Sequence, residues 1–222
     1  MSENKNDFLL MHKNVIVAII KISDDGTILN VKEIINPSHL PICIQAKNRE
    51  ILQSSLNLWW INRCIPSIRQ GLKEFISNLG FQTEKILILK CIGLSLSDQY
   101  WICQNDCQIK WGNVNFFENN FSHEVGDLLI GKTKYFNKSI DLKSPDNTTD
   151  GELTKRWKIM NGKRFLVKGG SFKYLQEPLN EVIASKIMDK LNIPHVEYKL
   201  IWENINGLKT PFSVCECFVN AE

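Results

Sequence analysis

The first part of the chain contains short runs of β-branched residues that are typical of strands. The segments NVIVAIIKI and TILNVKEII lie on either side of the polar stretch SDDG, which is typical of a turn. This pattern predicts a β-hairpin over residues 14–35.

Apolar residues at helical spacing follow in two segments. REILQSSLNLWWIN predicts a helix over part of residues 49–62, and we expect its Trp59 and Trp60 in a core or at a domain interface. PSIRQGLKEFISNLG, residues 66–80, predicts a second helix that ends at its glycine. Residues 84–103, EKILILKCIGLSLSDQYWIC, fit either a strand or a buried helix followed by a strand.

The second half of the chain has a sharper pattern. Residues 137–152 are polar and indicate either a domain boundary or a long functional loop. KRWKIM-NG-KRFLVK predicts a hairpin, because Asn-Gly favours the tight turn that matches strand twist. A helix over EPLNEVIASKIMDKLNIP and the strands HVEYKLIW and PFSVCECFV follow, with NING connecting the two strands.

These patterns predict an α+β fold in two domains. Residues 1–136 form an N-terminal α+β domain, which the short aromatic-rich elements of residues 111–138 close. Residues 137–222 form an antiparallel sheet with one packed helix, in the order strand, strand, helix, strand, strand.

The composition is that of an ordinary globular chain. Of its 222 residues, 43% are hydrophobic and 23% are charged. The net charge of +3 is too small to indicate nucleic-acid binding, and no helix-turn-helix or basic stripe stands out, so no direct nucleic-acid contact is expected. The longest apolar run, Val15 to Ile20, is too short to span a membrane, and MSENKNDF lacks the apolar core of a signal peptide. We therefore expect a cytoplasmic protein.

The cysteines and histidines do not form a metal-binding pattern. The seven cysteines lie in apolar stretches and predict buried, reduced thiols. Two close pairs occur, Cys103 with Cys107 and Cys215 with Cys217. A zinc site normally needs two such pairs at ligand spacing or paired histidines, and the four histidines are far apart, so no metal site is expected.

The register of the second hairpin brings two lysines together. A two-residue Asn-Gly turn places Met160 opposite Lys163, and therefore Lys155 opposite Lys168. Two like charges in this position are unfavourable unless an anion lies near them. Either an anion binds here, or the strand frays before this pair, or both ammonium groups simply point to water.

Two further positions bear on this chemistry. Glu181 lies at the border of the apolar face of its helix, where a carboxylate needs a cation, and Lys168 ends the strand that leads to this helix. Glu181 is therefore either the partner of Lys168 or an ordinary surface glutamate. In VCECFV, Glu216 alternates with Cys215 and Cys217, which fits either a backbone that pairs with a nucleotide base or a plain core strand.

The order and spacing of these segments resemble those of the HipA-like serine/threonine kinases, in particular the Gram-positive ones. The resemblance covers SPDNTTDGELTKRW, FLVKGG, QEPLNEVIASKIMDKLNIPHVEY and CECF, with LNLWWINRCIPSIRQGL and GLSLSDQYWI upstream. It runs from about residue 12 to the end. SPDNTTDGELTKRW by itself matches neither standard glycine-rich phosphate motif.

The resemblance implies that the first domain is the family's N-terminal domain and that the second is the small, ATP-binding lobe of a kinase. The polar loop then resembles the loop that covers the ATP phosphates, so ATP and Mg²⁺ become the implied cofactors. The implied loop residues are Thr148, Thr149, Asp150, Gly151 and Lys155.

The remaining implied site residues come from the strands and the helix. Lys168 matches the lysine that contacts ATP phosphates, and Glu181 matches the helix position that pairs with it. The backbone of Glu216, Cys217 and Phe218 matches the hinge that holds adenine.

The resemblance also shows what this sequence lacks. In the family, a catalytic aspartate, an asparagine and a metal-binding aspartate follow the hinge, and the few residues between Phe218 and Glu222 contain no candidate catalytic loop. His123 and Asp127 precede the nucleotide lobe and are misplaced for that role. We therefore expect no phosphoryl transfer by this chain alone, weak or absent ATP binding, and an exposed apolar surface where the large lobe would dock.

Two functions remain open at this point. The chain is expected to be the N-terminal portion of a HipA-like kinase, whose partner is a catalytic lobe from the same gene or from a separate chain. The alternative is a non-catalytic regulatory module that contacts a kinase or an antitoxin-like protein. The sequence does not indicate a protein substrate.

Overall fold

The structure is a computed structural model that describes residues 6–44, 48–104, 108–132, 142–146, 149, 151–171 and 173–219. Across these residues the chain is a mixture of α and β, with five α-helices and two antiparallel sheets of four strands each. No helix in this part of the chain is long and apolar enough to cross a lipid bilayer.

The elements follow one another as short strands and helices. The strands are β1 (Asp7–His12), β2 (Val15–Ile22), β3 (Ile28–Ile34), β4 (Tyr100–Gln104), β5 (Lys155–Met160), β6 (Lys163–Lys168), β7 (Tyr198–Ile205) and β8 (Leu208–Glu216). The helices are α1 (Arg49–Ile61), α2 (Leu72–Asn78), α3 (Glu84–Lys90), α4 (His123–Leu129) and α5 (Glu177–Lys190).

The chain forms two compact units that interleave in the sequence. The first comprises Met1–Ile65, Gly80–Asn119 and Leu142–Asp150, and the second comprises Pro66–Leu79, Asn120–Asp141 and Gly151–Glu222. The second unit therefore includes two segments that precede residue 137, and these bring α2 and α4 into it.

The first unit contains a sheet in the order β3-β2-β1-β4. β2 and β3 form the hairpin predicted over residues 14–35. α1 lies within the predicted range, and it begins after Asn48, whose side chain accepts a hydrogen bond from the amide of Ile51 at 2.8 Å. Trp60 is 1% exposed, and its indole N–H donates to the carbonyl of Gly26 at 2.8 Å, which confirms its predicted place in the core.

The structure settles the secondary structure of two segments, residues 84–103 and residues 66–80. Residues 84–103 form α3 followed by β4, so the interpretation as a buried helix and a strand is correct. The helix predicted over residues 66–80 is shorter, because α2 begins only after Gly71, whose φ of 76° is left-handed and interrupts the helix. Ile68, an apolar residue within that predicted helix, lies before α2 and is 66% exposed.

The second unit contains a sheet in the order β5-β6-β8-β7. β8 is thus a central strand, between β6 and β7. β5 and β6 pair in the predicted register, with Lys155 opposite Lys168. Of the NING segment predicted in the connection between β7 and β8, only Asn206-Gly207 form the turn, because β7 continues to Ile205.

The two faces of this second sheet carry different helices. Val167 and Val214 lie opposite each other on one face and form a core with Phe212 and with Ile130, which follows α4. Lys168 and Ser213, the next pair along the strands, lie on the other face, against α5. α5 packs on β7 and β8, and α4 packs on β5.

The described cysteines are all free thiols. Cys91, Cys103 and Cys215 are buried as predicted, whereas Cys43 is exposed, so the prediction of burial is wrong there. Cys107 lies outside the described residues.

Candidate functional site

The candidate site is centred on Lys168, the last residue of β6. Its ammonium group donates to Glu181 Oε1 of α5 at 2.7 Å and to the hydroxyl of Tyr198 of β7 at 2.8 Å. The ammonium also lies 4.8 Å from the centre of the Tyr198 ring. Three elements of the second unit therefore meet at this one cation.

The environment keeps Lys168 charged. Burial by itself lowers the pKa of Lys168, but the hydrogen bonds that its ammonium donates to Glu181 and Tyr198 outweigh this effect, so the pKa lies above its ordinary value. Burial raises the pKa of Tyr198, so the phenol stays neutral. An ammonium group has three N–H donors. Glu181 and Tyr198 occupy two of them, which leaves one for a ligand oxygen.

Glu181 is held through both of its oxygens. One accepts from Lys168, and the other accepts a short hydrogen bond from the hydroxyl of Ser213, which is fully buried. Ser213 is the residue of β8 that lies directly opposite Lys168. The interpretation of Glu181 as an ordinary surface glutamate is therefore wrong, since it fastens α5 to the sheet.

A second contact joins α5 to β7 beside Tyr198. The hydroxyl of Ser185 accepts the amide N–H of Tyr198 at 3.1 Å and lies 2.9 Å from Nε2 of His195. Ser185 is 3% exposed, so this bond is sheltered from water. The contact sets the start of β7, and with it the tyrosine that holds Lys168.

Lys155 and Gly151 lie close together at the start of β5. The Lys155 ammonium lies so near Gly151 that a side-chain carbon at this position would overlap it. Arg69 donates from Nε to the carbonyl of Gly151 at 2.8 Å, and the amide of Gln70 donates to the carbonyl of Glu152 at 3.2 Å. The segment before α2 therefore supports this end of the predicted phosphate loop.

The remaining predicted loop residues are only partly described. The hydroxyl of Thr149 donates to the carbonyl of Asp146 at 3.1 Å. Thr148 and Asp150 lie outside the described residues. Asp146 is fully buried and accepts a short hydrogen bond from Ser144, and burial raises its pKa to about 6.

The predicted hinge lies at the end of β8. The amide of Cys217 donates to the carbonyl of Arg164 at 2.8 Å, so this amide is already used by the sheet. Because hydrogen-bonding directions alternate along antiparallel strands, the backbone groups of Glu216 point away from β6. The Glu216 carboxylate pairs with Lys163 at 2.9 Å, and Phe218 is 76% exposed.

Asp127 and His123, the two upstream residues considered for a catalytic role, both lie on α4. Asp127 of α4 pairs with Arg156 of β5 and, at 3.1 Å, with Lys132. Both cations also pair with Glu203 of β7, so the four groups form a charge-balanced cluster. His123 is the first residue of the same short helix.

A cavity of about 780 Å³ lies between α2 and the β7–β8 turn, and it is separate from the residues around Lys168. Its lining includes Phe75, Leu128 and Leu208 and none of the predicted site residues. The geometry around Lys168, rather than this cavity, therefore defines the candidate site.

Sequence reasoning found Lys168 and Glu181 but missed the residues that hold them. Tyr198 and Ser185 carry no signal in a single sequence, because their contacts depend on how α5 packs. Ser213 had a weak signal. Once β8 is placed beside β6, the antiparallel register puts a serine opposite Lys168. Arg69 was hidden within a segment predicted to be helical.

The comparisons with known proteins identify no relative. Neither family models nor curated proteins nor solved structures gave a significant match to this chain. The resemblance to HipA-like kinases therefore stays a prediction from the residues themselves.

Proposed function

We propose that the second unit binds the phosphates of ATP through Lys168, as the small lobe of a HipA-like serine/threonine kinase. The observation that carries the proposal is the 2.7 Å pair between Lys168 and Glu181. In protein kinases, a strand lysine held by a helix glutamate positions an ammonium group for the nucleotide phosphates.

The surrounding residues fit such a ligand. The free N–H of Lys168 would donate to a phosphate oxygen. Lys155 would add a second positive charge from the opposed strand. The backbone of Glu216 that points away from β6 would pair with the base, as in the hinge of a kinase. Mg²⁺ would neutralise phosphate oxygens, and the described residues form no cluster able to hold a metal without the nucleotide.

Phosphoryl transfer requires further residues. Its base and metal ligands come from a second lobe in the kinases that this chain resembles. A catalytic lobe, from the same gene or from a separate chain, is therefore the partner that the proposal requires. The exposure of Phe218 and Val219 after β8, 76% and 56%, is consistent with such a contact. A cytoplasmic location belongs to the same proposal, and the free thiols support it.

The test is a calorimetric ATP titration of the chain, with and without Mg²⁺. We expect weak binding, in the range of about 0.1–1 mM, because one wall of a cleft supplies few contacts. Lys168→Ala should abolish this binding. Lys199→Ala is the matched control, because Lys199 lies on β7 with a side chain that is 69% exposed. If Lys168→Ala binds ATP as well as the parent chain, the site assignment is wrong.

The second candidate function is a regulatory module that contacts a kinase or an antitoxin-like protein. The observation that favours it is the complete pairing of Glu181, which stabilises the fold without any nucleotide. Failure of the parent chain to bind ATP, with its circular dichroism spectrum indicating a folded protein, would favour this alternative.

A further inference from the structure

The helix α5 has an outer face that the fold leaves uncovered. Four aliphatic side chains, here called the outer row, remain exposed on α5 and at its C-terminal end. They are Leu179 (38%), Ile183 (57%), Ile187 (54%) and Leu191 (61%). The opposite side of the helix supplies the contacts to the sheet, through Glu181 and the buried Ser185.

The spacing makes these side chains a continuous ridge. Each step of four residues turns a helix by about 40°, so Leu179, Ile183 and Ile187 lie within about 80° of one another. Side chains four residues apart form the ridge that packs into a groove of a second helix. The four exposed side chains therefore form one continuous ridge with the shape that packs against another helix, rather than a scatter of single exposed residues.

Positive charge lies along one side of the outer row. Lys186 and Lys190 each follow a row isoleucine by three residues, so both flank the same edge. Lys186 pairs with Asp189 of its own helix at 3.0 Å. Lys190 makes no ion pair within the described part of the chain. On the other edge lie Asn180 and Ala184, which are uncharged.

A second copy of the chain is poorly suited to bind the outer row. In a parallel pair of α5 helices, the lysine edge of one copy would face the uncharged edge of the other, with Asn180 and Ala184, and would meet no carboxylate. In an antiparallel pair, the lysines would face the first turns of the partner helix, whose carboxylates are already used. Glu177 accepts from the amide of Ser171 at 2.9 Å, and Glu181 is held by Lys168 on the inner side. A stable dimer also buries roughly 800 Å² per partner, more than four half-exposed aliphatic side chains supply.

We propose that the outer row of α5 binds an amphipathic helix of another protein. That helix would place aliphatic side chains against the row and a carboxylate opposite Lys190, the lysine of this edge that makes no ion pair within the described residues. Charge complementarity selects an acidic partner, and the four-residue spacing selects a helical one. This surface is separate from the Lys168 site, so the proposal does not depend on ATP binding.

The test is fluorescence anisotropy with a labelled synthetic helical peptide that carries a leucine stripe flanked by glutamates. We expect saturable binding that Ile183→Asp or Ile187→Asp weakens about tenfold or more. Lys190→Glu should weaken binding of this peptide and strengthen binding of a peptide whose glutamates are replaced by lysines. Both isoleucines and the lysine are exposed, and the melting temperature of each variant checks that the fold is intact.

Leu29→Asp is the control, because this leucine of β3 is 53% exposed and belongs to the first unit. It should bind the peptide as the parent chain does. The proposal is overturned if the glutamate-flanked peptide binds no better than its scrambled sequence, or if the Leu29 and Ile187 variants lose the same affinity. A dimer in analytical ultracentrifugation that Ile187→Asp dissociates would also overturn it, in favour of a second copy.

Discussion

Glu181 is the residue on which the arrangement around Lys168 depends. One of its carboxylate oxygens accepts a hydrogen bond from Lys168 and the other accepts one from Ser213. Both oxygens of this partly buried carboxylate are therefore paired, which avoids the free-energy cost of burying an unpaired charge. The lysine is therefore held in position without a ligand. Such preorganisation lowers the entropic cost of binding an anion there.

Replacing Ser213 by alanine tests this pairing. Ser213→Ala removes the donor to one Glu181 oxygen in a fully buried place, so we expect a loss of about 1–3 kcal/mol in the free energy of unfolding. Urea denaturation measures it. Ser54→Ala, at an exposed position on α1, is the control and should change stability by about 0.5 kcal/mol or less. Equal effects of the two changes would contradict the role of Ser213.

The buried carboxyl group of Asp146 makes the stability of the fold depend on pH. Burial raises its pKa from 3.8 to about 6, so the folded chain holds this proton more tightly than the unfolded chain does. The resulting stabilisation is complete below about pH 4 and is lost as the pH rises through about 6. Asp146→Asn cannot ionise, so above about pH 7 it should be more stable than the parent by on the order of 3 kcal/mol.

Denaturant unfolding of both proteins below about pH 4 and above about pH 7 measures this difference. The advantage of the asparagine variant should shrink as the pH falls. A constant difference at both pH values would mean that Asp146 does not titrate in this range.

The β5–β6 hairpin shows how a local signal controls an element. Asn161 and Gly162 both have positive φ, 52° and 75°, as a type I′ turn requires. This turn sets the register that places Lys155 opposite Lys168. In contrast, α2 starts six residues later than its apolar spacing predicts, because apolar spacing does not reveal where the backbone turns left-handed.

Gly162→Ala isolates the backbone requirement of this turn. No atom lies close enough to obstruct an added methyl group, so the only cost is the left-handed φ, about 1 kcal/mol. Thermal unfolding measures it. Gly112→Ala is the comparison, because that glycine is not left-handed and only the end of the Glu118 side chain lies near it. A Gly162 variant as stable as the parent would argue against the observed turn.

Within the second unit, a buried charge cluster joins elements distant in sequence. Arg156 of β5 is 5% exposed and pairs with Asp127 of α4 and Glu203 of β7, and Lys132 pairs with the same two carboxylates. Burial by itself would raise the pKa of Glu203, but Lys132 and Arg156 lower it below its ordinary value. Helix and sheet are thus fastened on the face opposite α5.

Arg156→Leu should destabilise this unit strongly. It leaves two carboxylates with Lys132 as their remaining cation in the cluster, so we expect a loss of about 3–5 kcal/mol in the free energy of unfolding. Adding Asp127→Asn should recover part of that loss, because one of the two charges is removed. Chemical denaturation of the single and double variants measures the coupling. A double variant no more stable than Arg156→Leu would contradict the cluster.

The sequence by itself determined the features that depend on neighbouring residues. The Asn-Gly turn specified the register of Lys155 and Lys168, and the border position of Glu181 indicated that it needs a cation partner. Each of these signals acts through backbone angles or through residues a few positions apart, which a single sequence displays.

Only the tertiary structure decided what surrounds these residues. β8 pairs with β6 across more than forty intervening residues, and this pairing brings Ser213 to Glu181 and uses the amide of Cys217. The packing of α5 on β7 places Tyr198 at Lys168 and leaves the outer row exposed. Such contacts depend on which apolar faces bury each other across the whole chain, and no short stretch of sequence contains that information.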